Sequence, residues 1–155
     1  MDIQVFTQNS IKITGQSGIV IYIDPFEIKG EQQDADYILW THEHYDHLSP
    51  DDVAKVRKAG TKYVFPKTMK NSVKELIADD GKAYEVEPNM VQEIDGLKLQ
   101  VVPAYNNLKP FHPKKNQWVG YLLDLDGQKV YIAGDTDVTP DNKKVTCDIA
   151  LVPVG

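Results

Sequence analysis

The stretch "THEHYDH", residues 41–47, follows the apolar run "YILW" and contains three of the four histidines in the chain. Imidazole nitrogens and carboxylate oxygens are the ligands that suit zinc and related divalent cations. The alternative is a surface loop of scattered polar residues, but such close clustering of the histidines argues against it. The stretch therefore predicts a metal site.

The spacing of the ligands within this stretch sets their geometry. His42 and His44 are two residues apart, so in extended backbone their side chains project to the same side, and Asp46 continues that row. His47 lies off the row, but the chain has to turn there to enter a helix, which can bring its ring to a neighbouring point. The spacing can thus supply two adjacent metal positions. It is not the helical H-E-x-x-H pattern, so Glu43 is not assigned as a general base.

The flanking sequence places the motif between a strand and a helix. Residues 35–41, "ADYILWT", are apolar almost throughout, as expected of a strand that is covered on both faces. Residues 49–60 predict a helix, in which Ser49 is the cap, Pro50 the first residue and Gly60 the end. The motif thus follows the C-terminal end of a buried strand, where open α/β folds usually place their chemistry.

The rest of the chain alternates between strands and helices and then returns to strands, which predicts an α/β (α+β) fold class. The first three strands suggest a meander that opens one sheet. Residues 106–117 form a polar loop that carries the fourth histidine, His112. The remaining predicted elements are strands at 3–7, 10–14, 19–24, 62–66, 82–88, 91–95, 97–105, 118–125, 129–134 and 149–154, and a helix at 68–79.

Composition limits the class of protein. With 155 residues, 41% of them hydrophobic, we expect one domain over residues 1–155. A net charge of −6, without a long basic run, argues against nucleic acid as a partner. We find no signal peptide and no apolar run of about 18 residues, so we expect a soluble, cytoplasmic protein without a membrane partner. Cys147 is the only cysteine and cannot form an internal disulfide, which fits a reducing compartment.

A second acidic stretch, "IAGDTD" at residues 132–137, ends another apolar strand. Asp135 follows the strand directly, and Gly134 permits close approach of the backbone. The carboxylate of Asp135 is therefore well placed to bridge two cations. In the alternative reading, Asp135 and Asp137 only form the turn after the strand. The histidine motif upstream favours the metal role.

Together, "THEHYDHLSP", "VVPAYN", "KPFHPK", "WVGYLLDLDGQKVYIAGDTD" and "DIALVPVG" resemble the metallo-β-lactamase superfamily of metal-dependent hydrolases. Within it, the chain looks like the small bacterial branch related to the L-ascorbate 6-phosphate lactonases. The resemblance implies a four-layer αββα sandwich, in which two sheets lie face to face, helices lie outside, and the metals sit at one rim.

The resemblance also implies which residues hold a first metal. His42 and His44 match two of its ligands, and His112 is the third. Many relatives present this third histidine directly after the proline-alanine strand, where this chain has Tyr105 and Asn106. The alternative for His112 is therefore an ordinary loop histidine.

For a second metal, the resemblance implies Asp46 and His47 as ligands and Asp135 as the bridge between both metals. It also implies that Asp46 orients the metal-bound water, which makes it the catalytic residue. The expected cofactor is zinc, as one or two ions, with manganese, iron and nickel as alternatives. Relatives continue through a helix and a strand that ends in a further histidine, whereas no histidine follows Asp135 here. We therefore expect the final helix and strand of the family to be absent. Either a partner subunit or the natural reading frame supplies the remainder, or the protein is a reduced form with one tight metal and impaired chemistry.

The leading hypothesis is a metal-dependent hydrolase that acts on a small ester, lactone or phosphate ester. Asn106, Lys109 and Lys114, with Lys115 beside them, could bind an anionic small-molecule substrate, although lysines in a loop are also typical of a solvated face. One alternative is a non-catalytic or degenerate relative that binds one metal. Another is a nuclease, against which the acidic balance argues. An absent outer helix would expose apolar surface, so we also expect a homo-oligomer.

Overall fold

The computed structural model describes most of the chain, and the described residues form two compact units, each containing one sheet. The first unit comprises residues 1–65 and 69–85, and the second comprises residues 66–68 and 86–155. The single domain expected from the sequence stays a prediction. The described residues are 1–6, 10–26, 28–41, 50–74, 76–77, 81–103, 119–133 and 147–151.

The first unit contains a six-stranded sheet with the strand order β1-β2-β3-β4-β5-β6. Strands β1 to β3 form the predicted antiparallel meander. Strand β4 then runs parallel to both β3 and β5, so the C-terminal ends of these three strands lie at the same edge. The strands are β1 (Asp2–Val5), β2 (Ile11–Thr14), β3 (Val20–Ile23), β4 (Tyr37–Leu39), β5 (Lys62–Pro66) and β6 (Lys82–Val86).

Two short helices follow β4 and β5. They are α1 (Pro50–Val56) and α2 (Lys70–Val73), the second preceded by a 3₁₀ turn at Lys67–Met69. Their apolar side chains pack against one face of the sheet, where Trp40 and Tyr63 stack with ring centroids 6.0 Å apart. Burial of these large side chains supplies the stabilisation that helices of this length lack by themselves. The cluster comprises Val20, Tyr22, Ile28, Ala35, Ile38, Trp40, Val53, Val56, Tyr63, Phe65, Met69, Val73 and Leu76.

Helix α1 is shorter than the prediction for residues 49–60. It begins at Pro50, as predicted, and ends at Val56. The buried hydroxyl of Thr61 accepts a hydrogen bond from the backbone N–H of Lys58 at 2.9 Å and donates one to the carbonyl of Ala35 at 2.9 Å. These bonds hold residues 58–61 in a turn against the sheet, so the helix cannot continue to Gly60. The predicted cap, residue 49, lies outside the described residues.

Helix α2 is also shorter than the predicted 68–79. Its α-helical part ends at Val73. The backbone N–H of Leu76 bonds to the carbonyl of Val73 at 2.9 Å, and Arg57 donates to the carbonyl of Leu76 at 3.0 Å. A long-range side chain therefore satisfies a backbone group in this region, which the local sequence does not reveal.

The second unit contains a five-stranded sheet with the order β11-β10-β9-β8-β7. Its pairs are antiparallel except for β10 and β11, which are parallel. Two-residue turns connect β7 to β8 and β9 to β10, and both turns use an Asp-Gly pair in left-handed backbone, which matches the twist of a hairpin. The strands are β7 (Val91–Ile94), β8 (Leu97–Pro103), β9 (Val119–Leu125), β10 (Gln128–Ile132) and β11 (Ile149–Leu151).

Buried and more exposed residues alternate over residues 97–101 of β8 and 121–125 of β9, whereas β10 is buried throughout residues 130–132. A second buried group lies around Val102, Tyr131 and Ala133. The two mixed sheets and the helices after β4 and β5 confirm the α/β fold class. In the described part of the chain, no helix is long and apolar enough to cross a membrane.

Candidate metal centre

Strand β4 leads directly into the predicted metal-binding motif. Its three residues are fully buried, and so are Trp40 and Thr41, which follow it. The backbone N–H of Trp40 continues the pairing with β5 by bonding to the carbonyl of Val64 at 2.9 Å. The motif therefore begins from a rigid position at the sheet edge where three parallel strands end.

A buried carboxylate holds Thr41, the first residue of the motif. Asp24 follows β3 and is 0% exposed. One of its oxygens accepts the backbone N–H of Thr41 at 2.9 Å, and the other accepts the hydroxyl of Thr41 at 2.8 Å. Its own N–H donates to the carbonyl of Leu39 at 2.9 Å. Since a carboxylate is costly to bury without such donors, these bonds fix Thr41 firmly beside the end of β3.

The backbone of Asp24 is strained, with φ at 48°. This left-handed conformation is uncommon for residues other than glycine, and the following Pro25 further restricts it toward extended backbone. Such strain costs on the order of 1–3 kcal/mol and persists where surrounding contacts over-determine it, typically at functional sites. Asp24 is not among the residues that the sequence predicts for the site. The available signal was a carboxylate placed directly after the apolar run "IVIYI" and before a proline.

All the residues predicted to form the site lie outside the described residues, so their roles stay predictions. Among the residues that the structure describes, there is no group of three or more His, Cys, Asp or Glu side chains that could hold a metal. All four histidines lie outside this part of the chain. The predicted site residues are His42, His44, Asp46, His47, Asn106, Lys109, His112, Lys114 and Asp135.

In the second unit, the described strands flank two of the segments that carry predicted ligands. Pro103, at the end of β8, pairs with Val119, at the start of β9. Ile132, at the end of β10, pairs with Tyr121 near the same end of β9. The chain therefore leaves β8 toward residue 112 and leaves β10 toward residue 135 at one edge of this sheet. That topology fits two ligands of one site.

The approach of β9 to β10 at this edge is unusually close. A Cβ at Gly120 would lie 2.5 Å from the carbonyl oxygen of Ile132 and 3.2 Å from that of Ala133. Only glycine fits here without a shift of the neighbouring backbone. Gly120 thus fixes the end of the strand that precedes Asp135.

The donor set of the predicted site fits a divalent transition metal. It consists of four imidazoles and two carboxylates and contains no cysteine. Zinc accepts this mixture of nitrogen and oxygen ligands, and manganese, iron and nickel accept it as well. The rigid start of the motif at Thr41 also fits, because metal sites need ligands that their surroundings orient.

A second polar cluster of the first unit ties the segment after β3 to the strands. Asp34 accepts hydrogen bonds from Lys12 at 2.9 Å and from the hydroxyl of Tyr22 at 2.7 Å. Burial favours a raised pKa for Asp34, but the hydrogen bonds from Lys12 and Tyr22 and the charge of Lys12 outweigh it and hold this pKa below its usual value. Burial and the bond to Asp34 raise the pKa of Tyr22. The cluster borders a cleft of about 620 Å³ that Lys12, Tyr22 and Lys29 help to line.

The chain matches a known protein family. The family described as beta-lactamase superfamily domain matches residues 14–155, which is nearly the whole sequence. The chain belongs to this family, and the predicted membership of the metallo-β-lactamase superfamily is confirmed.

Individual relatives agree with this assignment. A UPF0173 metal-dependent hydrolase from Thermococcus onnurineus is 33% identical over 148 residues, which cover 87% of this chain and 64% of the relative. Another from Ligilactobacillus salivarius is 31% identical over 153 residues, covering 90% of this chain and 66% of the relative. A crystal structure assigned to a metal-dependent hydrolase from Parabacteroides distasonis superposes with a TM-score of 0.82 at 34% identity, covering 99% of this chain and 69% of that one. The chain thus spans about two thirds of the length of these relatives.

Proposed function

We propose that the protein is a metal-dependent hydrolase that uses a metal-activated water on a small ester, lactone or phosphate ester. The observation that carries the proposal is the position of "THEHYDH" after β4, with Thr41 fixed by the buried Asp24. Relatives at 31–34% identity that are named metal-dependent hydrolases support the same class of reaction.

We assign a first metal to His42, His44 and His112, in line with the family resemblance. A bound zinc would lower the pKa of its water toward neutrality and polarise the substrate oxygen. The imidazoles would hold the ion through uncharged nitrogen atoms, which would leave its positive charge unneutralised. The alternative metals are manganese, iron and nickel.

We assign Asp46 and His47 to a second metal, with Asp135 between the two. Asp46 also accepts a hydrogen bond from the attacking water and orients it toward the substrate. A non-catalytic protein with one metal is the alternative function.

We further propose an anionic small-molecule substrate, held by Asn106, Lys109 and Lys114. A soluble, cytoplasmic homo-oligomer is the state in which we expect the protein to act. The acidic net charge of −6 argues against a nuclease, since nucleic acid would be repelled except at a local basic patch.

Metal analysis of purified protein tests the metal centre. Wild-type protein should contain one to two ions per chain, and His44→Ala should lose most of the tightly bound ion. The matched control is Glu43→Gln, which changes the neighbouring residue of the motif and should keep the ion. Equal metal content in His44→Ala and wild type would contradict the ligand assignment.

Activity assays separate the two candidate functions. Metal-loaded protein should hydrolyse at least one member of a panel of esters, lactones and phosphate esters, and His44→Ala should lose that activity. One tightly bound ion and no turnover on any member would instead support the non-catalytic alternative. Binding of a single-stranded nucleic acid at physiological salt would support the nuclease alternative.

A further inference from the structure

Residues 24–36, which connect β3 to β4, contact both described flanks of the metal-binding motif. We name residues 24–36 the connecting segment. At the entry to the motif, Asp24 of this segment binds Thr41. At the exit, helix α1 begins at Pro50 and packs along the same segment. The connecting segment thus touches the chain both before and after residues 42–49.

The contact at the exit involves both backbone polar groups of one residue, Ile28. Its N–H donates to the carboxylate of Asp52 at 2.9 Å, and its carbonyl accepts from the ammonium of Lys55 at 3.1 Å. The ammonium also lies 3.4 Å from the carboxylate of Asp52, which aligns the two side chains. Ile28 is 3% exposed and Asp52 6% exposed, so water competes little for these bonds.

Further backbone bonds fix the other end of helix α1 to the same segment. The N–H of Gln33 donates to the carbonyl of Lys55, and the N–H of Ala35 donates to that of Val56, both at 3.0 Å. The helix therefore cannot slide along the segment without breaking bonds at Ile28, Gln33 and Ala35.

We propose that Asp52 is a positioning residue for the metal centre. By holding Ile28 it fixes the start of α1 against the segment whose Asp24 fixes Thr41. The two ends of residues 42–49 are then held at a set separation. A chain with fixed ends loses less conformational freedom when its side chains close around an ion, so metal binding is tighter. This inference rests on the proposed metal site at His42, His44, Asp46 and His47.

The neighbouring Asp51 offers a matched control. It lies in the same first turn of α1 and carries the same charge, but its side chain is exposed. A change at either position removes one negative charge from the first turn of α1. Only the change at Asp52 removes the bond to Ile28.

The test compares zinc affinity in Asp52→Ala and Asp51→Ala, measured by competition with a chromophoric chelator. We expect the dissociation constant to rise about tenfold in Asp52→Ala, as for residues that orient metal ligands, and less than twofold in Asp51→Ala. Asp52→Asn keeps an oxygen that can accept the N–H of Ile28, and should restore most of the affinity. Circular dichroism verifies that each variant is folded.

A different result would overturn the inference. If Asp52→Ala lowers the thermal midpoint but binds zinc as tightly as Asp51→Ala, Asp52 has only a structural role. Should Asp52→Ala fail to fold, Lys55→Met replaces it because it removes the bond to the carbonyl of Ile28, and wild-type zinc affinity in Lys55→Met overturns the inference. A wild-type chain that binds no zinc contradicts the proposed metal centre itself. This outcome differs from a wild-type chain that binds zinc with an affinity independent of Asp52, which contradicts only the role of Asp52.

Discussion

At the scale of single residues, the most constrained position beside the predicted metal site is Asp24. It combines complete burial, a left-handed backbone and two hydrogen bonds from one threonine. The two hydrogen bonds help to offset the free-energy cost of the strain and of the desolvation. Stability and the proposed positioning of the metal ligands therefore depend on the same contact.

We predict that Thr41→Val lowers the free energy of unfolding by about 2 kcal/mol, because it removes the hydroxyl that donates to a buried carboxylate but keeps the shape of the side chain. Denaturation by urea measures the loss. A double-mutant cycle with Asp24→Asn should show a coupling of at least about 1 kcal/mol. Additive effects of the two substitutions would contradict a direct interaction.

A second prediction concerns pH and Asp34. Hydrogen bonds from Lys12 and Tyr22 keep the pKa of this carboxyl low in the folded protein. A lowered pKa stabilises the fold above the unfolded pKa of about 3.9, and that contribution is lost as the pH falls through the folded value. Asp34→Asn should therefore lower the free energy of unfolding by about 1 kcal/mol at pH 7.

The difference between wild type and Asp34→Asn should shrink below about pH 4, where the wild-type carboxyl becomes protonated. Unfolding curves at several pH values measure this difference in the free energy of unfolding. Glu31→Gln removes an exposed carboxylate from the same segment and should have little effect at any pH. A constant difference between wild type and Asp34→Asn from pH 7 to pH 3 would refute the charge argument.

The sequence predicts which residues are metal ligands, but it does not point to the residues that hold the chain on either side of the histidine stretch. His42, His44 and His47 stand out because they cluster along the chain. Asp24 and Asp52 act through partners 17 and 24 residues away, and no local pattern encodes such contacts. The arrangement of the ligands themselves stays a prediction.

At the scale of elements, the strands were predictable and the helix ends were not. Every strand from β1 to β11 lies where apolar runs and turn residues predict it, within two or three residues at each end. Helices α1 and α2 are shorter than predicted because Thr61 and Arg57 bond to the backbone near their C-terminal ends. Strand patterns are local, whereas these helix ends depend on tertiary contacts.

We predict that Gly120→Ala destabilises the pairing of β9 with β10. The new methyl group would meet the carbonyl of Ile132, and relief of the overlap requires a backbone shift that costs about 1–3 kcal/mol. Hydrogen exchange should become faster at the amides of Ile132 and Ala133. If Asp135 binds metal, zinc affinity should fall as well.

The control for this prediction is Gly96→Ala in the turn between β7 and β8. A Cβ there meets no atom within 4 Å, and the cost arises only from its positive φ. Gly96→Ala should leave exchange in β10 unchanged. Unaltered exchange at Ile132 in Gly120→Ala would show that the strand accommodates the methyl group.

At the scale of the whole molecule, family membership follows from motifs that are spread along the chain. The family match over residues 14–155 includes the histidine stretch, the loop at 106–117 and the aspartate after β10. The fold places such motifs at strand ends, and a fold of this kind accommodates many substrates through its loops. The sequence could therefore predict the superfamily and the type of cofactor, but the substrate depends on loops that lie outside the described residues.

We predict that the protein self-associates. Val91, on the edge strand β7, is 62% exposed, and its cross-strand row continues through Gln100 to the partly exposed Leu122. An exposed apolar edge can pair with the same edge of a second copy, and a lysine there prevents such pairing. Val91→Lys should therefore raise the dimer dissociation constant at least about tenfold in sedimentation velocity, which is about 1.4 kcal/mol.

Val5→Lys changes an exposed valine on the other sheet's edge strand β1 and should leave the dimer intact. A wild-type chain that sediments as a monomer at high concentration would contradict the prediction, and loss of the dimer only in Val5→Lys would move the interface to β1.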